Sequence, residues 1–140
     1  TMETGSSYHC FRKGIRPEWE DVANHEGGRC MLRSRKECSN LLWERLLFAV
    51  VCGERFDNES FDVSEICGIS NTVKNSEHLI CIWTKTSTNE LTIGAVKHFF
   101  KSAMQIQQAL SIDFKPHHRH GNVKDVKEEG EVVVDVNNEG

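Results

Sequence analysis

The sequence predicts an α+β domain, an antiparallel sheet with helices packed on one face. Three observations lead there. Apolar residues recur at the helical spacing of three and four in two segments, near 41–53 and 91–104. Two short apolar runs, Ile66–Ile69 and Leu79–Thr84, read as strands on either side of a polar stretch that suits a hairpin. The elements then follow in the order strand, helix, hairpin, helix, strand.

Taken in order, residues 1–7 are polar and expected to be flexible. Gly27 and Gly28 lead into Arg29-Cys30-Met31-Leu32-Arg33, a turn feeding a strand. Ser39 or Asn40 is the expected N-cap of the first helix, whose residues Leu42, Trp43, Leu46, Leu47 and Val50 keep the helical period. Leu41, Phe48, Ala49 and Val51 widen that apolar face beyond a single stripe, so this helix is either deeply buried or shows one side to a partner. Residues 57–62 (DNESFD) form a polar loop, and Lys74 to His78 is the expected hairpin loop. The second helix, 91–104, presents Ile93, Val96, Phe99, Phe100, Ala103 and Met104 on one side, with Lys97 and Lys101 opposite. Ala109 to Lys115 reads as the last strand. Residues 121–140 form an acidic, glycine-punctuated tail expected to be disordered.

A length of 140 residues suits one domain with a real core, and 38% hydrophobic with 27% charged residues is ordinary for a soluble chain. No apolar run approaches the ~20 residues that span a bilayer. The first ten residues, TMETGSSYHC, lack a basic start followed by an apolar stretch, so no secretory leader, no membrane association and a cytoplasmic location are expected. The net charge of -4 resides in the tail, where two lysines face six acids from Gly121 onward, leaving the other 120 residues neutral. A local basic patch on the body remains compatible with that balance. The six cysteines show no CxxC pair, and Cys30, Cys52, Cys67 and Cys81 lie in apolar segments, which suits reduced, buried thiols. His117-His118-Arg119-His120 reads as a solvated loop after Pro116, so neither a metal nor another cofactor is expected.

The chain carries no GxSxG elbow, P-loop or HExxH, and an enzyme is not expected. Binding chemistry is better represented. Trp43 and Trp83 lie in helix and strand patterns that make core packing their simplest role. Trp19 is different, set in the loop GIRPEWED between Glu18 and Glu20 with Pro17 stiffening its approach. Either it anchors the loop in the core, or the ring and the Glu20 carboxylate are held out together. The second arrangement suits a cationic purine, whose face stacks on the indole and whose edge donates two N–H bonds to the carboxylate.

The segments YHCFRKGIRPEWEDVANHEGGR (Tyr8 to Arg29), LLWERLLFAVVCGERF, EICG, ICIWTKT and IGAVKHFF together resemble the eukaryotic translation initiation factor 4E family. They are most similar to its class II branch, with its WED-x-AN-x-x-GG and EICG patterns. The likeness runs from Tyr8 to His120 in the family's order. It implies a curved antiparallel sheet with helices on its convex face and a concave slot for the 7-methylguanosine cap of mRNA. Through it, Trp19 matches a ring that stacks on the base, Glu20 the carboxylate that reads the guanine edge, and Trp83 the tryptophan at the methyl group. Arg29 and Lys74 match basic positions near the phosphates. The helix with Trp43, Leu47 and Phe48 matches part of the dorsal surface where 4E-binding proteins dock. The implied partners are capped mRNA and those proteins, the implied role is control of translation initiation, by repression, and the expected state is a monomer.

Departures from the family pattern shape the expectation further. In the family a strand and a helix precede the segment matching Tyr8, bearing the first sandwich aromatic and the main dorsal tryptophan; only seven residues precede Tyr8 here. An N-terminally shortened fold is therefore expected. Cys30 stands where a strand tryptophan usually follows GGR or GGK, and Lys74 where an arginine with its planar fork is usual. Stacking on one side alone forfeits about 1–3 kcal/mol, so cap affinity is expected to be weakened. The alternative is a protein-interaction module that keeps part of the dorsal surface and no useful cap affinity.

Overall fold

Among the described residues, five antiparallel strands form one curved sheet in the order β1-β3-β4-β2-β5. They are β1 (Ser7–Phe11), β2 (Gly28–Arg35), β3 (Ile66–Lys74), β4 (Glu77–Thr84) and β5 (Asp113–Pro116). The α-helices among the described residues are a single turn, α1 (Val22–His25), and the longer α2 (Lys36–Val51) and α3 (Glu90–Met104). The computed structural model describes residues 5–52, 63–105 and 111–117. The 57–62 loop, the Ala109–Leu110 start of the last expected strand, and the acidic tail lie outside the described residues.

Alternation along the central strand β4 explains why both faces of the sheet are covered. Ile80 and Ile82 point back into a core built with Cys30, Leu32, Ile66 and Ile69 from the neighbouring strands. Leu46 and Ala49 of α2 and Val96, Phe99, Phe100, Ala103 and Met104 of α3 close that core. Leu79, Cys81 and Trp83 point forward, where Phe11, Ile15, Trp19 and Met31 join them with Cys67 in a smaller cluster. A bulge between Ile66 and Gly68 shifts the β3–β4 register and brings Cys67 into this front cluster.

The α3 expectation agrees with the structure to within a residue. Asn89 supplies its N-cap, accepting from Leu91 N at 3.1 Å and Thr92 N at 3.2 Å. The helix α2 begins earlier than expected. Strand β2 runs into it directly at Lys36, and Ser39 is an interior residue whose hydroxyl donates to Lys36 O at 3.1 Å. The hairpin is tighter than expected: Lys74 ends β3, Glu77 and His78 already belong to β4, and Asn75 takes the left-handed conformation with φ 52°.

The structure departs from expectation at residues 5–7 and at Cys52. Of the N-terminus expected to be flexible, residues 1–4 lie outside the described residues, whereas Gly5 N donates to Val73 O, Val73 N to Ser6 O, and Ser7 opens β1, paired with Thr72. Cys52 is exposed because it follows α2 as its C-cap, beyond the reach of the core. Cys30, Cys67 and Cys81 are buried as expected, and none of the six cysteines is in a disulfide. Burial pushes the Cys30 thiol up to about 12 and the Cys67 thiol to about 11, so both stay protonated and act as packing groups.

Behind the sheet, His78 is buried with its Nδ1 3.2 Å from the Asn71 Oδ1 acceptor. Burial, and secondarily the Lys36 charge, hold its pKa below the ordinary 6.5. Within that interval the unfolded chain carries a proton that the folded chain does not, so stability rises with pH there. The stability is fully present above pH 6.5 and falls as the pH drops toward the lowered value. Urea titrations from neutral to mildly acidic pH should show this decline, and His78→Gln should flatten it; an unchanged slope would remove His78 as its source.

Candidate functional site

The front face owes its geometry to the chain between β1 and β2. Arg12 turns back, its Nε donating to Ile66 O at 2.7 Å, and the loop to Asp21 is then clamped from two sides. Asp21 N-caps α1 by accepting from Ala23 N, and its other oxygen accepts from Arg16 N, both at 3.0 Å. These bonds, with the Arg16 charge, hold its carboxyl below the ordinary 3.8. Asn24 is fully buried and its Nδ2 donates to Arg16 O and Glu18 O, each at 2.8 Å. The loop that bears Trp19 is therefore fixed at its base by side chains that act on its own backbone.

Trp19 is half-buried against the front cluster, as the anchor reading of its loop has it, and the following residue, Glu20, is exposed. The Trp19 indole lies nearly parallel to the His25 imidazole, at 17° with centroids 6.0 Å apart. Trp83 is more enclosed, at 3% exposure, with Nε1 donating to Ser70 Oγ at 3.1 Å. The Phe11 ring meets it edge-on at 5.1 Å, and the Arg29 guanidinium stands 5.4 Å over its ring.

Trp19, Trp83 and Arg29 thus share one face of the sheet, with Arg29 opposite Trp83 in the β2–β4 register. Lys74 is not beside them. It is exposed at the far end of β3, six residues beyond the Gly68 that pairs with Trp83, about 20 Å along the strand. On the other side of the sheet, Trp43 and Leu47 of α2 are half-buried against the main core, whereas Phe48 is 59% exposed. Leu41 and Val51 are also exposed there, and Leu41, Glu44, Arg45 and Phe48 line a groove of about 370 Å³ with Ala103 and Gln105. Arg45 ties the two helices together by donating to Met104 O at 3.0 Å.

His117 corrects an expectation. Its ring is buried, with its centroid 4.9 Å from that of Trp83, and its backbone N–H donates to Gly27 O at 2.9 Å. Residues 118–120 of the same cluster lie outside the described residues. Sequence reasoning also passed over Phe11, Ser70 and His25. For Phe11 a signal existed in Gly68, where an added Cβ would stand 2.3 Å from the Phe11 ring; the glycine of EICG leaves room for it.

The family model of eukaryotic initiation factor 4E matches residues 1–131. The chain belongs to this family. Over 109 residues it is 31% identical to eukaryotic translation initiation factor 4E-4 of Caenorhabditis elegans, a match covering 78% of this chain and 49% of that protein. Over 114 residues it is 39% identical to initiation factor 4E of Eremothecium gossypii, covering 80% of this chain and 52% of that one. The chain thus spans about half the length of the curated relatives it matches. Among solved structures, Ascaris suum eIF4E-3 with the m7G cap superposes with a TM-score of 0.73 at 27% identity, over 87% of this chain and 67% of that one. The complex of C. elegans eIF4E-3 with the 4E-binding protein Mextli and a cap analog gives 0.72 at 28%, over 87% and 65%. The 4E family fold accounts for the sheet and its two long helices. Among the described residues no helix is long and apolar enough to cross a membrane, and no group of three His, Cys, Asp or Glu is placed to hold a metal ion.

Proposed function

We propose that the chain binds the 7-methylguanosine cap of mRNA at its front face, as a class II-like member that restrains translation initiation in the cytoplasm. The observation that carries this reading is the clamped Trp19 loop: an indole fixed on the front face with the exposed Glu20 carboxylate next to it. A methylated guanine is cationic, so its face stacks on the indole and its N–H edge meets the carboxylate in charge-assisted bonds. Trp83 backs the slot at the methyl group, and Arg29 supplies positive charge toward the phosphates, with Lys74 reached only by a longer phosphate chain. The WED-x-AN-x-x-GG and EICG patterns support the class II assignment. The protein acts as a monomer with weakened affinity for the cap.

Retention on immobilised 7-methyl-GTP and release by free cap analogue test this reading. Glu20→Ala is expected to lower affinity about tenfold or more, since hydrogen bonds to a charged group contribute about 1.5–3 kcal/mol each. Retention that Glu20→Ala leaves intact would overturn the site.

A second reading is favoured by the exposed Leu41, Phe48 and Val51 on α2. On it, the chain is an interaction module whose dorsal helix takes up 4E-binding proteins without useful cap affinity, through Trp43, Leu47 and Phe48. Phe48→Asp is expected to abolish binding of a 4E-binding peptide while stability stays within about 0.5 kcal/mol, because the side chain is at the surface. Peptide binding that survives Phe48→Asp, measured by fluorescence anisotropy, would remove this surface from consideration.

A further inference from the structure

Trp19 and His25 sit on the same clamped loop, six residues apart, and present nearly parallel rings. His25 is the last residue of the single-turn helix α1, and that turn is held by Asp21 at its start and by the buried Asn24 beside His25. The two ring positions are therefore fixed relative to each other by backbone, with side-chain rotation as the remaining freedom.

We infer that His25 is the second ring of the base slot, and that the cationic purine lies between the His25 imidazole and the Trp19 indole. This rests on the cap-binding reading above and adds to it a residue on the opposite side of the base. The near-parallel arrangement of two rings on one clamped loop carries the inference. The rings are 17° from parallel with centroids 6.0 Å apart. A flat base between two faces needs two stacking distances of about 3.4 Å each, about 6.8 Å in all. The two faces must part to admit a base, and the His25 side chain supplies that movement through the broad freedom of its terminal torsion. Access is one-sided: Trp19 is packed against the front cluster, whereas the His25 side chain is 47% exposed and can swing outward.

Charge favours a cationic base over a neutral one. Each ring is followed in the chain by an exposed glutamate, Glu20 after Trp19 and Glu26 after His25. Glu26 Oε1 lies 3.9 Å from His25 Nε2, so one carboxylate stands beside the imidazole, and the exposed Glu20 follows the indole in the chain. Aromatic and imidazole faces are common stacking platforms for single bases, and they accept any base by its face. The carboxylates then discriminate for positive charge.

The test compares 7-methyl-GTP with GTP for the unsubstituted protein, His25→Ala, His25→Phe and Glu20→Ala, by titration calorimetry. His25→Ala is expected to weaken 7-methyl-GTP binding about tenfold, the loss of one base–ring stack. His25→Phe, which keeps a flat ring, is expected to restore it. The His25 Hε1 proton resonance should move upfield on addition of 7-methyl-GTP, as a base ring current acts on it. Binding that Glu20→Ala reduces and His25→Ala leaves unchanged overturns this inference alone. Binding that tightens in His25→Ala also overturns it, because the imidazole then only covers the indole. No binding by the unsubstituted protein overturns the cap reading, and this inference with it.

Discussion

Gly27→Ala is expected to destabilise the domain by about 3–5 kcal/mol, in the upper tail of single substitutions. A Cβ at this position would stand 1.7 Å from Thr84 O, 2.7 Å from Thr84 C and 3.0 Å from Lys85 C. All three are backbone atoms, so no side-chain rotation relieves the overlap. The start of β2 would have to leave the end of β4, where Gly28 pairs with Thr84 and Thr84 Oγ1 accepts from Gly28 N at 3.3 Å. The displacement reaches the front face as well, because Gly27 O accepts the backbone N–H of His117, whose ring packs on Trp83. Domains of this size are stable by only about 5–15 kcal/mol, so the variant should melt far below the unsubstituted protein. Gly94→Ala supplies the contrast: it lies within α3, nothing stands within 4 Å of its added Cβ, and it is expected to stabilise by about 0.5–1 kcal/mol. Urea denaturation of both variants measures the difference. A Gly27→Ala midpoint close to that of the unsubstituted protein would show that the two strands separate more freely than their geometry suggests.

Local pattern and distant contact likewise divide what the sequence makes legible from what it does not. Helix α3 was legible because Val96, Phe99, Phe100, Ala103 and Met104 repeat at the spacing that lines one helix face, and those residues are buried. The β4 run was legible because Ile80 and Ile82 alternate with Cys81 and Trp83 across two covered faces. Strand β1 was not, since Ser7-Tyr8-His9-Cys10-Phe11 is an edge strand whose pairing with β3 shows no apolar alternation of its own. His117 looked solvated because a histidine among polar neighbours carries no local sign that a tryptophan from another strand will cover it. The site divides in the same way. Trp19 and Glu20 are adjacent in the chain, so the joint chemistry proposed for them is legible from the sequence. Asn24, which holds their loop, works through carbonyls six and eight residues upstream, and His25 lies beside Trp19 only once α1 has turned. Contacts made by the chain with its own distant parts leave no period to detect.

Trp83 lies at the centre of the front cluster, and its removal is expected to cost about 3–5 kcal/mol. At 3% exposure its ring lies against the Phe11 edge, the Arg29 guanidinium and the His117 ring, and its Nε1 donates to the buried Ser70 hydroxyl. Trp83→Ala therefore opens a cavity in the small front cluster and takes the indole donor from Ser70. A double-mutant cycle with Phe11→Ala isolates the ring contact. The two rings stand at 74° with centroids 5.1 Å apart, an edge-to-face pair of the kind that contributes about 0.5–1.5 kcal/mol beyond buried area. The two substitutions should thus fall short of additivity by a similar amount, because either one alone already removes the contact. Strict additivity in urea denaturation would mean that Phe11 and Trp83 are held separately by the sheet. The site would then depend on Trp83 through Arg29 and Ser70 and not through its neighbouring ring. Non-additivity makes Phe11 and Trp83 one packed unit. On that outcome β1 is required to keep the front face in shape, which gives this edge strand a part in whatever the face binds.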